Sequence, residues 1–123
     1  MPFESSIVRS ILQYINGLNY GRAEKVQGSS SASGRADINA CYRGRSLRIG
    51  VKTPDHRNKA SAKQNHNLEK WRSAGAITMV AYSKLSVMTL LKYVDTNQTG
   101  KWFFPEDNGC MSLIEIPYLK SMD

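Results

Sequence analysis

The sequence predicts an α/β domain in which helices flank a central mixed β-sheet. Three observations lead there. Apolar residues recur at helical spacing near the start and again past the middle. Short alternating or wholly apolar segments, bounded by glycine and polar turns, lie between them. Their order along the chain is α, β, β, β, α, β, α, followed by a tail, and such alternation places helices against a sheet. The chain has 123 residues, 41% hydrophobic and 22% charged, a mix that suits one globular domain and excludes a disordered, collagenous or disulfide-dense chain.

Each element has a local reason. Glu4 to Asn16 reads as a helix because Ile7, Val8, Ile11, Leu12 and Ile15 share one side, and Gly17 stops it. Tyr20 to Gln27 is a short extended segment, and residues 28–34 are a loop of small residues. Asp37 to Tyr42 and Leu47 to Lys52 read as a hairpin around a turn at Arg43-Gly44-Arg45-Ser46. Thr53 to Ala60 is a basic polar loop. Ser61 to Ala74 is a helix capped by Ser61, with Gly75 just past its end. Ile77 to Tyr82 is an apolar run suited to a buried strand, and Ser86 to Val94 is a further helix. Lys101 to Phe104 and Met111 to Ile116 fit an added hairpin around Pro105-Glu106-Asp107-Asn108-Gly109. Trp71, Tyr82 and Tyr93 fit core positions. Cys41 and Cys110 have no ligand-spaced partner and read as buried thiols. No apolar run is long enough for a membrane span, and the first residues do not resemble a signal peptide, so an intracellular, cytoplasmic protein is expected.

The net charge of +7 is concentrated. Residues 35–72 hold ten basic and three acidic groups, so this segment carries the whole surplus. A field gathered in one stretch favours a polyanionic partner such as nucleic acid. A small RNA-binding or scaffold protein is the less favoured reading, since no aromatic-rich stacking motif is present.

Strand alternation says where polar residues point. Leu47, Ile49 and Val51 face a core, while Arg48, Gly50 and Lys52 face away. Asp37, Asn39 and Cys41 share a face of the partner strand, so Asp37 and Lys52 can converge. Glu4 extends the apolar stripe of the first helix, and Gln64 lies on the stripe of Leu68 and Trp71. Polar groups aimed inward need partners, and a hydrated metal would supply them. Each residue also fits a simpler role. Glu4 suits a first-turn carboxylate, Gln64 a capping box with Ser61, Asp37 a turn and Lys52 a strand end. His56 and His66 have no ligand spacing and read as facing solvent or DNA.

Together these residues resemble a family. Glu4 on a first helix, Gly34-Arg35-Ala36-Asp37, then Leu47-Arg48-Ile49-Gly50-Val51-Lys52-Thr53-Pro54, then Ser61-Ala62-Lys63-Gln64, then Gly75-Ala76 before a strand, are similar to the VRR-NUC domain. That is the virus-type replication and repair branch of the PD-(D/E)XK nucleases. The likeness runs over about residues 4–90, implying a nuclease core at 1–95 and a C-terminal extension at 96–123 packed on the same domain. It implies a DNA endonuclease dependent on Mg²⁺ or Mn²⁺. Asp37 and Lys52 would be catalytic and Gln64 would complete the site. Glu4, Asp37 and the carbonyl of Val51 would hold the metal. Arg35, Arg57, Lys59 and Lys63 would hold flanking phosphates. Stand-alone viral members resemble homodimeric Holliday-junction resolvases, implying a four-way junction as substrate, a homodimer, and a phage-encoded protein acting in a bacterial host.

One position departs from the pattern. The family has a carboxylate two residues before the lysine, where this chain has Gly50. Weakened or absent cleavage with retained DNA binding is expected. The surrounding motif is kept, which favours a disabled enzyme over a binding module that kept only the fold.

Overall fold

The computed structural model describes residues 3–27, 34–53, 62–106 and 109–118. Along the chain come α1 (Glu4–Asn16), β1 (Gly21–Lys25), β2 (Ile38–Tyr42), β3 (Arg45–Val51), α2 (Ala62–Ser73), β4 (Ile77–Ala81), α3 (Lys84–Asp95), β5 (Gly100–Pro105) and β6 (Met111–Ile116). The strands form one six-stranded sheet in the order β1-β2-β3-β4-β6-β5. β3 and β4 run parallel with α2 as their crossover, and every other pair is antiparallel. This is the mixed sheet with flanking helices that the sequence predicts.

Helix α1 forms because Ile7, Val8, Ile11 and Ile15 make one buried stripe. It packs with α3 against one face of the sheet. Ile38, Leu47, Ile49, Val51, Ile77, Met79, Ile114 and Ile116 supply that face, and all are at most 2% exposed. At its end Asn16 donates to the Ala23 carbonyl at 3.0 Å and accepts from the Ala23 N–H at 2.8 Å, docking the helix on β1. Gly21 makes the connection possible, since a Cβ there would lie 2.6 Å from the Ile15 carbonyl oxygen.

Helix α2 covers the opposite face with little apolar surface. Leu68 packs on Ala36 and Val80, beside Tyr82 and Leu113. The helix closes on Gly75, at φ 103°, in a Schellman motif. There the Ala76 N–H reaches the Trp71 carbonyl and the Gly75 N–H that of Arg72, both at 3.0 Å. β4 lies between the two layers, and all five of its residues are buried, the polar Thr78 accepting from Arg72 at 2.8 Å. Ser83 caps α3, accepting from the Ser86 N–H at 3.3 Å.

Several expectations are corrected. The hairpin turn is Arg43-Gly44 alone, with φ 49° and 80°, and Arg45 and Ser46 pair with Tyr42 and Cys41 inside the ladder. Positive φ at both central residues is what a two-residue turn needs to follow the strand twist. Trp71 is 39% exposed and lies outside the core. Cys41 is exposed because it alternates onto the outer face, and Cys110 is half-buried. The tail does form the expected hairpin, β5 with β6, and β6 joins it to β4 so that residues 100–116 extend the central sheet. Ser61, His56 and most of the loops expected at 28–34 and 53–60 lie outside the described residues. No described helix is long and apolar enough to cross a membrane.

Candidate active site

The β2–β3 hairpin builds the centre of the site. Ile38 pairs with Ile49, so Asp37, one residue before β2, stands beside Gly50. Its N–H donates to the Ile49 carbonyl at 3.0 Å, and its Oδ2 accepts from the Val51 N–H at 2.7 Å. A short charge-assisted bond of this kind fixes the carboxylate against β3 and occupies one of its two oxygens. Lys52 follows β3 directly, its N–H donating to the Ala81 carbonyl at 2.9 Å. The end of the parallel β3–β4 pair therefore holds the backbone of Lys52.

Glu4 arrives from the first turn of α1. Its pKa is raised above the ordinary carboxylate value, chiefly by partial burial and next by the charge of Asp37, with Lys52 and then Lys25 opposing. These four groups share one local field, so the two acids and the lysine singled out in the sequence do come together. Lys25 was not foreseen. It ends β1 opposite Ile38, next to Asp37, and the weak alternation of β1 concealed its side.

Helix α2 closes the site from the other layer. Gln64 is buried, and its Nε2 donates to the Arg35 carbonyl at 3.1 Å. Asn67, one turn further, donates to the Gly34 carbonyl at 2.8 Å. Two α2 amides thus hold the backbone that leads into Asp37. The Gln64 amide also covers Gly50, where an added Cβ would lie 3.1 Å from Oε1 and 3.3 Å from Nε2. The Gln64 amide thus fills the space over position 50, where the sequence resemblance implies a carboxylate. Among the described residues, no group of three or more His, Cys, Asp or Glu side chains is placed to hold a metal ion.

Of the expected phosphate-binding residues, Arg35 is exposed beside the site, and Lys63 lays its side-chain stem against Gly34. Arg57 and Lys59 lie outside the described residues. The Val51 side chain is fully buried, so only its backbone can serve the site. His66 is exposed on α2.

No family model matches the sequence, and no curated protein matches it. Among solved structures, a VRR_NUC domain superposes with a TM-score of 0.60 at 24% identity, covering 73% of this chain and 95% of that one. The chain thus shares the fold of that VRR_NUC domain, a mixed sheet flanked by helices.

Proposed function

We propose that this chain is a divalent-metal-dependent DNA endonuclease, directed to branched DNA such as a four-way junction and weakened by glycine at position 50. The observation that carries the reading is the meeting of Glu4, Asp37 and Lys52 at one end of the β2–β3 hairpin. Two carboxylates, one of them Glu4 with its pKa raised in part by the charge of the other, are a donor set suited to a hard cation such as Mg²⁺ or Mn²⁺. Glu4, one oxygen of Asp37 and the Val51 carbonyl would hold it. Such a cation, when bound, polarises the scissile phosphate and lowers the pKa of an attacking water.

The other groups have roles that follow from their positions. Lys52 offers a positive charge to the phosphoryl oxygens as negative charge builds there. Asp37 is held rigid by the Val51 N–H, so its remaining oxygen has a fixed direction. Gln64 and Asn67 secure the Gly34–Arg35 backbone that carries Asp37. Arg35, Lys63, Arg57 and Lys59 supply charge for flanking phosphates. A homodimer would match the two-fold symmetry of a four-way junction.

A second reading is a DNA-binding module on a nuclease fold. It is favoured by one observation, the Gln64 amide seated over Gly50. A labelled four-way junction, incubated with this chain and with Gly50→Glu under Mg²⁺, Mn²⁺ or EDTA, separates the two. Metal-dependent cutting by Gly50→Glu, with little by the parent, is the expected result. Binding by both proteins and cutting by neither would leave the binding module.

A further inference from the structure

On the α2 face, away from Glu4, four arginines surround one tryptophan. Three hollows adjoin there. One of about 420 Å³ lies between Arg22 and Arg48, one of about 320 Å³ between Arg35, Arg48 and Trp71, and one of about 270 Å³ between Trp71 and Arg45. They share walls. Arg48 and Asn39 border the first two, and Trp71 the last two. They form one open groove crossing β1, β2 and β3 to the end of α2.

Among the described residues the groove walls carry four arginines against one acid. Among the described residues, the ion pairs are Arg43 with Asp95 and Arg72 with Glu115, and neither involves Arg22, Arg35, Arg45 or Arg48. Glu24 is the single acid on its walls. The Arg48 guanidinium lies 4.0 Å from the centre of the Trp71 ring and donates from Nη1 to Ser46 and to the Leu47 carbonyl, both at 2.9 Å. Its Nε, and Nη2 of Arg45, are shielded from water with no acceptor among the described residues.

We propose that this groove binds an unpaired nucleic-acid strand, with a base against Trp71 and phosphates at Arg45, Arg48 and Arg22. An exposed indole set among cations is the combination by which proteins hold single strands, bases stacking while the groove follows the backbone. A phosphopeptide would use the arginines but leave the indole idle. The groove extends the nuclease reading without depending on it. Arg35 belongs to both regions, lining the groove while its carbonyl holds Gln64 beside Gly50. A strand that splays from a branch would thus pass from the Asp37 end of the hairpin onto the α2 face.

The test measures binding by fluorescence anisotropy, in EDTA, of a labelled single-stranded oligonucleotide and of a duplex of equal length. Proteins are the parent, Trp71→Ala, Trp71→Phe and Arg22→Glu. Trp71→Ala is expected to weaken single-strand binding at least about five-fold, the loss of one stacked base, with less than two-fold change for the duplex. Trp71→Phe should recover most of it. Arg22→Glu, on an exposed strand position, repeats the loss without touching α2. Adenosine monophosphate as competitor identifies the source: displacement only at high concentration supports a strand site. Unchanged single-strand binding in Trp71→Ala and Arg22→Glu overturns the proposal, as do equal losses for both DNAs or tight mononucleotide binding without oligonucleotide binding. Binding in EDTA is independent of cleavage. Loss of the nuclease reading through the junction assay would therefore leave the groove standing, and the reverse holds.

Discussion

Putting glutamate at position 50 should make the protein less stable without metal and more responsive to it. The added Cβ falls 3.1–3.3 Å from the Gln64 amide, so that side chain has to shift. Shifting it breaks the bond to the Arg35 carbonyl, worth about 1 kcal/mol net. A third carboxylate beside Glu4 and Asp37 adds repulsion on the order of 1–2 kcal/mol near a protein surface. Removing a glycine from a strand returns about 0.4–1 kcal/mol. The net loss is about 1–2.6 kcal/mol, or roughly 3–13 °C in Tm for a domain of this size. A cation at a hundred times its Kd restores about 2.7 kcal/mol, enough to reverse the deficit. Thermal unfolding of the parent and Gly50→Glu across a Mg²⁺ titration, with Ca²⁺ as a non-catalytic control, reads both effects. The parent should shift little and the variant strongly. Equal Mg²⁺ responses in the two proteins would refute the placement of position 50 in a cation site.

Further expectations rest on single contacts. Asp37→Ala leaves the Val51 N–H without its acceptor and should cost about 1.5–3 kcal/mol in urea unfolding, while Asp37→Asn keeps an acceptor and should lose less. Lys52→Ala in a Gly50→Glu background should slow junction cleavage about 10²–10³-fold while the fold is kept, because its backbone bond to Ala81 remains, with Tm somewhat lower as the acids lose its charge. Glu4 binds its proton more tightly when folded, so its contribution is fully present below the ordinary carboxylate value and is lost as pH rises through the raised one. Glu4→Gln should therefore match the parent in acid and gain on it toward neutral pH, as paired Tm scans would show. Asp95→Ala removes the acceptor of the Tyr42 hydroxyl and the partner of Arg43, so the urea midpoint should fall, and Tyr42→Phe should account for most of the loss because the Arg43 pair is solvent-exposed.

Much of this was legible in the chain because local pattern and final packing agree. The α1 stripe, the hairpin faces and the glycine after α2 follow from spacing, and each holds. Alternation on β3, carried through the hairpin, was enough to bring Asp37 and Lys52 to one end. Other features depend on partners distant in sequence. Trp71 lies at helical spacing from Leu68 and looks like core, yet the layer beneath it is a guanidinium, and the ring stays half in water. The turn shortened because Arg43 accepts a left-handed backbone, which composition alone does not mark. Gln64 read equally as a cap or a site residue, and its seat over Gly50 emerges only once α2 lies across β3. Lys25 and Asn67 carried no motif. Their relevance comes from strand register and from the path of the Gly34 carbonyl.

The place of β6 bears on how the protein is made. Residues 111–116 fill an interior position of the sheet, yet they leave the ribosome after the other five strands. Until they arrive, one side of β4 lacks its ladder partner at Thr78, Met79 and Val80. Its Ile77–Ala81 run is uncharged and apolar but for Thr78, the kind of edge that recruits strands from other chains. A nascent or truncated chain would therefore be prone to aggregate. A stop introduced ahead of residue 111 should give inclusion bodies rather than a smaller folded domain.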